Sequence, residues 1–359
     1  MKICLCAGGT GGHVYPAVTL AKFLKKTGDT FFFIGNSQMM EETVCQQHDF
    51  RFLPIHNKGL FKNTFKSRFD AMTSTFRSFF DARKYLKQEK PDLVMGLGGY
   101  VTVPVGLAAF SLRIPLLLHE QNALPGKANK FLATFAKGIA LSYASSATYF
   151  KGKTTRLTGN PRASEVALHQ PNISILKKYG LDQSRPILYI VMGSLGSGSM
   201  NRFLVELFEQ FDFSEFQVLI SGGVQNTKKL QKALEKFEHV HIFEQIDQVA
   251  MLPYCHVVLS RAGATGLSEL MASGSIAILV PSPYVADNHQ YYNAVDLVDQ
   301  QAAVMLEEKK MTPQEMYDLI VELQTNEPKR QQLRKNALRL AYPEATADIY
   351  QWIKELVYD

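Results

Sequence analysis

Apolar residues in this chain gather in short unbroken runs, and between the runs lie longer stretches in which they recur every three or four positions. In the first half the runs are KICLCA, TFFFIG, FRFLPI, DLVMGL, PLLLHE and GIALS, separated by stretches such as PAVTLAKFLKK. Short apolar runs read as strands covered on both faces, and the slower recurrence as amphipathic helices. Strand and helix therefore alternate, which predicts parallel sheets joined by helical crossovers, an α/β fold class. After LTGNPRASEV the alternation restarts with PILYIVMG, FQVLIS, VHIF, HVVLS and SIAILVP. Two α/β domains are expected, one over 1–160 and one over 161–342, with the boundary near Gly159, Asn160 and Pro161. The amphipathic stretch ADIYQWIKELVY predicts a helix over 343–359 that packs back on the first domain.

Composition narrows the class. At 359 residues and 46% hydrophobic, the chain can bury two cores. Its longest apolar stretch, VTVPVGLAAFSLRIPLLL, is broken by Arg113 and two prolines, so no membrane span is expected. The N-terminal MKICLCAGG reaches glycine too soon for the apolar core of a secretory signal, which predicts a cytoplasmic location. Of four cysteines, Cys4 and Cys6 share a strand and are expected on opposite faces, and neither disulfides nor a zinc site are expected. Charge divides unevenly: residues 1–160 hold 21 Lys and Arg against 9 Asp and Glu, and residues 161–359 hold 18 against 24. A basic half suits an anionic surface or substrate.

Chemistry concentrates where strands run into glycine. AGGTGGHVYPA follows the first strand, and Pro16 suits the first turn of the next helix. It is not the dinucleotide fingerprint, because Val14 stands where a third glycine belongs, and it lacks the Gly-Lys-Ser/Thr ending of a phosphate loop. His13, at the mouth of this turn, can take a proton near neutral pH or can brace the turn. No Asp-x-Asp pair occurs, so no metal clamp on a diphosphate is expected; backbone amides and helix dipoles would replace it.

GGTGGHVYP (8–16), GLGGYVTVP (96–104), HEQNALPGKANK (119–130), TGNP (158–161), MGSLGS (192–197), SRAGATGLSEL (260–270) and DNHQYYNA (287–294), in this order, resemble the MurG family. These glycosyltransferases of family 28 add N-acetylglucosamine to lipid I in peptidoglycan synthesis. The resemblance covers nearly the whole chain. It implies the GT-B architecture, two Rossmann-like domains with parallel sheets facing across a cleft that closes on substrate. It also implies inverting transfer from UDP-N-acetylglucosamine to the muramyl 4-hydroxyl of undecaprenyl-diphosphate-linked MurNAc-pentapeptide, giving lipid II without a cofactor. Cell-wall synthesis or division proteins are implied as partners. The alternatives are another glycolipid or natural-product glycosyltransferase, a UDP-sugar epimerase on the same fold, and a non-catalytic nucleotide-sugar-binding protein.

Carried over by position, the resemblance implies His13 as base, with Glu120 in reserve. For the donor it implies Thr10, Gly11, Gly12, Asn122, Ser194, Ile246 at the uracil edge, and the turn and helix Ala264, Thr265, Gly266, Leu267, Ser268 and Glu269, with Glu269 on the ribose hydroxyls. Gln290 is implied at the sugar, with His289 beside it. Two positions depart from the family: Arg162 precedes Ala163, which stands where the family has its hinge arginine, and Met192 replaces a glycine.

Residues 58–87, KGLFKNTFKSRFDAMTSTFRSFFDARKYLK, hold eight Lys and Arg and six Phe. Phe61, Phe65 and Phe69, among Lys62, Lys66 and Arg68, are expected to enter an anionic membrane surface, while Phe76 to Phe80 are assigned to the core. The expected place is thus peripheral, on the cytoplasmic face of the cell membrane. The same charges match no nucleic-acid-binding motif, so no nucleic-acid partner is expected.

Overall fold

The computed structural model describes residues 1–59, 65–193, 196–224 and 226–358. The chain forms two compact units, Met1–Ser164 with Tyr342–Asp359, and Glu165–Ala341.

In the first unit the strands are β1 (Lys2–Cys6), β2 (Thr30–Asn36), β3 (Phe52–Ile55), β4 (Leu93–Gly96), β5 (Leu116–Glu120), β6 (Gly138–Leu141) and β7 (Thr155–Leu157). They make one sheet in the order β3-β2-β1-β4-β5-β6-β7, parallel at every pairing. Helices α1 (Gly11–Thr27), α2 (Met40–Gln47), α3 (Phe65–Glu89), α4 (Thr102–Ser111) and α5 (Lys127–Leu132) provide crossovers, and α6 (Pro161–Leu168) begins in this unit. The order reverses at β1, which lies between β2 and β4, and the crevice beyond the carboxyl ends of such a pair is where open α/β sheets bind ligands.

The second unit holds α7 (Ser174–Lys178), β8 (Ile187–Val191), α8 (Gly198–Gln210), β9 (Gln217–Ser221), α9 (Thr227–Ala233), β10 (Val240–Phe243) and α10 (Gln248–Met251). It continues with β11 (Val257–Ser260), α11 (Ala264–Ser273), β12 (Ala277–Leu279), α12 (His289–Val298), β13 (Val304–Met305), α13 (Pro313–Thr325) and α14 (Glu327–Leu340). Its parallel sheet runs β10-β9-β8-β11-β12-β13, reversing at β8.

Helix α15 (Ala345–Tyr358) belongs to the first unit. Of its buried stripe, Ala345, Ile349, Trp352 and Ile353, the last three join Ile3, Leu5, Leu20, Leu24 and Leu93 in one core. Gly138 makes room for the indole, since a Cβ there would stand 2.3 Å from Trp352 Cζ2. Thr346 N–H donates to Ser164 Oγ (3.0 Å), so the first turn of α6 is tied to the returning chain.

Two strands were not expected, and three expectations need correction. Strands β7 and β13 were not legible as apolar runs, because they are short sheet edges of partly exposed residues. Pro16 lies in the second turn of α1, not the first, and forgoes one helical hydrogen bond there. Cys4 and Cys6 share one face of β1, as residues two apart on a strand must, and both are buried free thiols in the same cluster. Phe76 and Phe80 are not core: they are 65% and 53% exposed, with Phe69 and Met72 exposed on the same helix. Their spacing of three and four residues puts all four on one face of α3, and the Phe76 and Phe80 rings meet edge-on at 4.9 Å. Phe61 and Lys62 lie outside the described residues, as do the side chains of Phe65, Lys66 and Arg68. Among the described residues no helix is long and apolar enough to cross a membrane.

Candidate active site

In the first unit the turns after β1 and β4 are built against each other. Gly98 and Gly99 hold φ of +100° and +87°, a region costly for other residues. A Cβ on Gly99 would stand 2.1 Å from Gly8 O, and Gly8 N–H donates to Gly98 O (3.3 Å). A Cβ on Gly98 would strike His13 at Cδ2, 2.7 Å away. Side chains are thus stripped from these turns so that two backbones can touch and an imidazole can lie on them.

His13, half-buried in the first turn of α1, places Nδ1 3.0 Å from Gly8 O. A carbonyl oxygen only accepts, so Nδ1 carries the proton and Nε2 the lone pair, the tautomer a general base needs. Thr10 Oγ1 is 3.4 Å from the same Nδ1, and Gly11 and Gly12 open the helix.

The loop after β5 lies beside this turn: the Cβ that would meet His13 from Gly98 would also stand 3.3 Å from Gln121 Oε1. Sequence reasoning passed over Gln121, which is buried, donates to Leu97 O and keeps an Oε1 without a partner among the described residues. Glu120 is buried and organises the loop. Its Oε1 accepts from Asn122 N–H (2.9 Å) and Nδ2 (3.3 Å), and its Oε2 from Gly126 N–H (3.1 Å) and Asn129 Nδ2 (2.8 Å). Burial pushes its carboxyl up while these donors pull it down, with a net rise. Both oxygens are engaged, which leaves Glu120 a poorer base than His13. Arg162 sets its guanidinium 5.8 Å from the Tyr15 ring, whose Cε2 a Cβ on Gly11 would approach to 2.9 Å. Ala163 is buried, so the displaced arginine has no outward position there.

His119, on β5, is fully buried and gives Nε2–H to Gly159 O (2.9 Å). Burial lowers its pKa to about 4 against the partly compensating Gly159 bond. The unfolded chain therefore takes up this proton first as pH falls below about 6.5, and stability is lost down to the folded value near 4. Comparing urea unfolding of wild type and His119→Gln across that window should show wild type losing about 3 kcal/mol more. The comparison isolates the imidazole, since Glu41 and Glu120, raised by burial, act with the opposite sign. Parallel curves would show that His119 is not held neutral.

In the second unit the β11–α11 turn and the chain after β10 converge. Gln248, on α10, donates to Glu269 Oε2, and Ile246 lies half-buried two residues before it. A Cβ on Gly266 would stand 4.0 Å from Gln248 Nε2, so the opening of α11 shares this corner. Ala264, Thr265 and Gly266 occupy the first turn of α11, where amide hydrogens lack helical partners. Leu267 instead points into the core and spends its N–H on Gly263 O (3.0 Å), and Ser268 Oγ bonds Thr265 O (2.7 Å), so both serve packing. Gln290 Oε1 accepts from Ser282 N–H (2.9 Å), which leaves its amide nitrogen to donate, and His289 Nδ1 bonds Ala286 O (2.8 Å).

Ser194 lies outside the described residues. The residue that caps α8 is Ser197, whose Oγ accepts from Met200 N–H (3.4 Å) and from Arg261 Nη2 (2.8 Å). Met192 is buried in the same core cluster as Met200 and Leu204. Arg261, also missed in the sequence, is 7% exposed, bonds Val280 O (3.0 Å) and pairs with equally buried Glu308 at 2.5 Å. An arginine between an apolar strand and a glycine was the available signal, because a charge carried under a turn must find a partner. Among the described residues no group of three His, Cys, Asp or Glu could hold a metal ion.

Comparison with known proteins identifies the family. Residues 3–141 match the glycosyltransferase family 28 N-terminal domain and residues 187–349 its C-terminal domain. A Bacillus pumilus protein named UDP-N-acetylglucosamine--N-acetylmuramyl-(pentapeptide) pyrophosphoryl-undecaprenol N-acetylglucosamine transferase is 36% identical, covering 99% of each chain. The crystal structure of Acinetobacter baumannii MurG superposes with a TM-score of 0.75 at 27% identity, over 99% of each chain. A Neisseria meningitidis UDP-GlcNAc 2-epimerase shares the fold at a TM-score of 0.72, but only 18% of the sequence, over 99% of this chain and 100% of the other. Matched in both halves and along nearly its full length, the chain belongs to glycosyltransferase family 28.

Proposed function

We propose that this enzyme transfers N-acetylglucosamine from UDP-N-acetylglucosamine to the 4-hydroxyl of undecaprenyl-diphosphate-linked MurNAc-pentapeptide, lipid I, giving lipid II with inversion. Family membership supplies the reaction class. The observation that carries the reading on this chain is His13, whose Nδ1–H is committed to Gly8 O so that Nε2 presents the lone pair. Nε2 takes the acceptor proton as the hydroxyl oxygen attacks the anomeric carbon from the side opposite UDP. The bond from that carbon to the diphosphate oxygen breaks, and its electron pair leaves on UDP. Opening amides of α8 and α11, with their helix dipoles, meet the charge that develops there. Glu269, held through Oε2 by Gln248, is assigned to the ribose hydroxyls as a carboxylate acceptor, beside Ile246 at the base. The first unit is assigned the acceptor and the base, and the second the nucleotide sugar.

The test is transfer of labelled N-acetylglucosamine from the UDP-sugar to a lipid I analogue. Label in the disaccharide lipid supports the reading. Conversion of the donor without acceptor would favour an epimerase, and transfer to other glycolipids alone a different acceptor.

A lipid acceptor calls for a membrane-facing surface, and the exposed face of α3 supports one on the first unit at the cytoplasmic leaflet. Phe69, Met72, Phe76 and Phe80 stand out of it, and Phe110 and Phe131 are also half or more exposed in the same unit. Rings entering the interface beside cations bind anionic lipid by combined apolar and electrostatic terms. Phe69→Ser, Phe76→Ser and Phe80→Ser should each weaken flotation with phosphatidylglycerol vesicles by roughly tenfold or more. Unchanged flotation of the triple variant would remove this surface from the account.

A further inference from the structure

Beneath the exposed face of α3 a buried polar cluster ties that helix to the glycine turns. Its hub is Asn57, 6% exposed in the chain just after β3. Asn57 Nδ2 donates to Tyr100 O (2.9 Å), and its backbone N–H donates to Asn36 Oδ1 (2.7 Å). Asn36 Nδ2 returns bonds to Asn57 O (2.9 Å) and to the Tyr100 hydroxyl (3.0 Å). On the other side Thr75 Oγ1, from α3, donates to Asn57 Oδ1 (3.0 Å), and Ser74 Oγ accepts from Lys58 N–H (3.0 Å).

Tyr100 follows Gly98 and Gly99, the pair that seats His13, and a Cβ on Gly9 would meet its ring at 3.7 Å. Asn36 N–H reaches Glu41 Oε1 (3.1 Å), and that carboxylate lies against Gly8. Hydrogen bonds therefore run from α3 through Asn57 to the turn after β4, and through Asn36 and Glu41, which accepts from the Gly9 backbone, to the turn after β1. Burying two asparagines is costly unless every group is bonded, and a fully bonded network specifies one arrangement.

We infer that Asn57 is a positioning residue that couples α3 to the turn holding His13, so that contact of α3 with an anionic lipid surface raises turnover as well as gathering enzyme and acceptor. The inference rests on the membrane reading above. A surface can shift an equilibrium only by binding one arrangement better. The apolar side chains of Phe69, Met72, Phe76 and Phe80 and the hydroxyl of Thr75 share three turns of one helix, so lipid that fixes those side chains also fixes Thr75 against Asn57.

The experiment uses the full chain, UDP-N-acetylglucosamine and a saturating, water-soluble short-chain acceptor, with and without phosphatidylglycerol vesicles; flotation is measured separately. Because the acceptor is not in the membrane, enrichment at the surface cannot raise the rate. Vesicles should raise wild-type kcat roughly fivefold, about the worth of one net hydrogen bond, with KM for the donor unchanged. Thr75→Val should float like wild type, keep the vesicle-free kcat and lose the rise. Asn57→Asp, which keeps the acceptor for Thr75 but loses the donor to Tyr100, should have low kcat in both conditions. Wild type that floats without a rise, or Thr75→Val that keeps it, overturns the coupling and leaves the membrane reading standing. Wild type that does not float overturns both.

Discussion

His13→Ala should lower kcat by about two to four orders of magnitude, the usual worth of a positioned general base, and leave KM for UDP-N-acetylglucosamine within about twofold. The donor half of this expectation follows from the fold. Ile246, Glu269 and Gln290, assigned to the uracil, ribose and sugar, belong to the second unit, while His13 lies in the first, where the donor is assigned only Thr10, Gly11, Gly12 and Asn122, none of which alanine at 13 removes. The imidazole also braces its turn through Gly8 O, so alanine alone would confuse chemistry with bracing. His13→Asn separates them: its amide can still donate to that carbonyl but has no nitrogen able to accept a proton. Asparagine should therefore restore the thermal stability lost by alanine without restoring turnover. Recovery of rate in His13→Asn would reduce His13 to a brace and return attention to the loop after β5.

The second large effect concerns stability. Arg261→Met should destabilise the second unit by about 3–5 kcal/mol, because it strands Glu308, 7% exposed, without its cation. It also removes a donor from Val280 O and the partner of Ser197 at the start of α8. Arg261→Met with Glu308→Leu removes both charges and should regain most of that loss, since replacing a whole buried pair by apolar groups is often close to neutral. Donor affinity should not recover with it, because Ser197, which caps the helix whose opening amides we assign to the diphosphate, stays unsupported. Urea unfolding and donor titration of the two variants give both readings. A single variant as stable as wild type would show that the pair is not holding the turn.

Much of this was legible in the sequence because burial leaves a pattern. Strands covered on both faces, such as ILYIV and the opening LLL of LLLHE, are unbroken apolar runs, and they stand out. Edge strands TRL and VM carry no such demand and were missed. The phenylalanines of α3 show the limit of composition: Phe76 and Phe80 have core-like chemistry and a helical spacing, yet that face is exposed. His13 could be found from its place after a glycine turn, but its tautomer could not, because Gly8 O sets it in space. The donor residues came from resemblance in their motifs, not from spacing. Gln121, Gln248 and Arg261 escaped notice because their partners, Leu97, Glu269 and Glu308, are distant in sequence and meet them only once the sheets are formed.

The central claim is a single displacement in which one nitrogen base activates the acceptor and UDP leaves from the opposite side. The anomeric configuration of the new glycosidic bond, read from the proton coupling of the disaccharide by NMR, tests it most directly. Donor N-acetylglucosamine is α-linked to UDP, so the account predicts a β-linked product. An α-linked product would mean that configuration is retained, and the role given to His13 would be wrong.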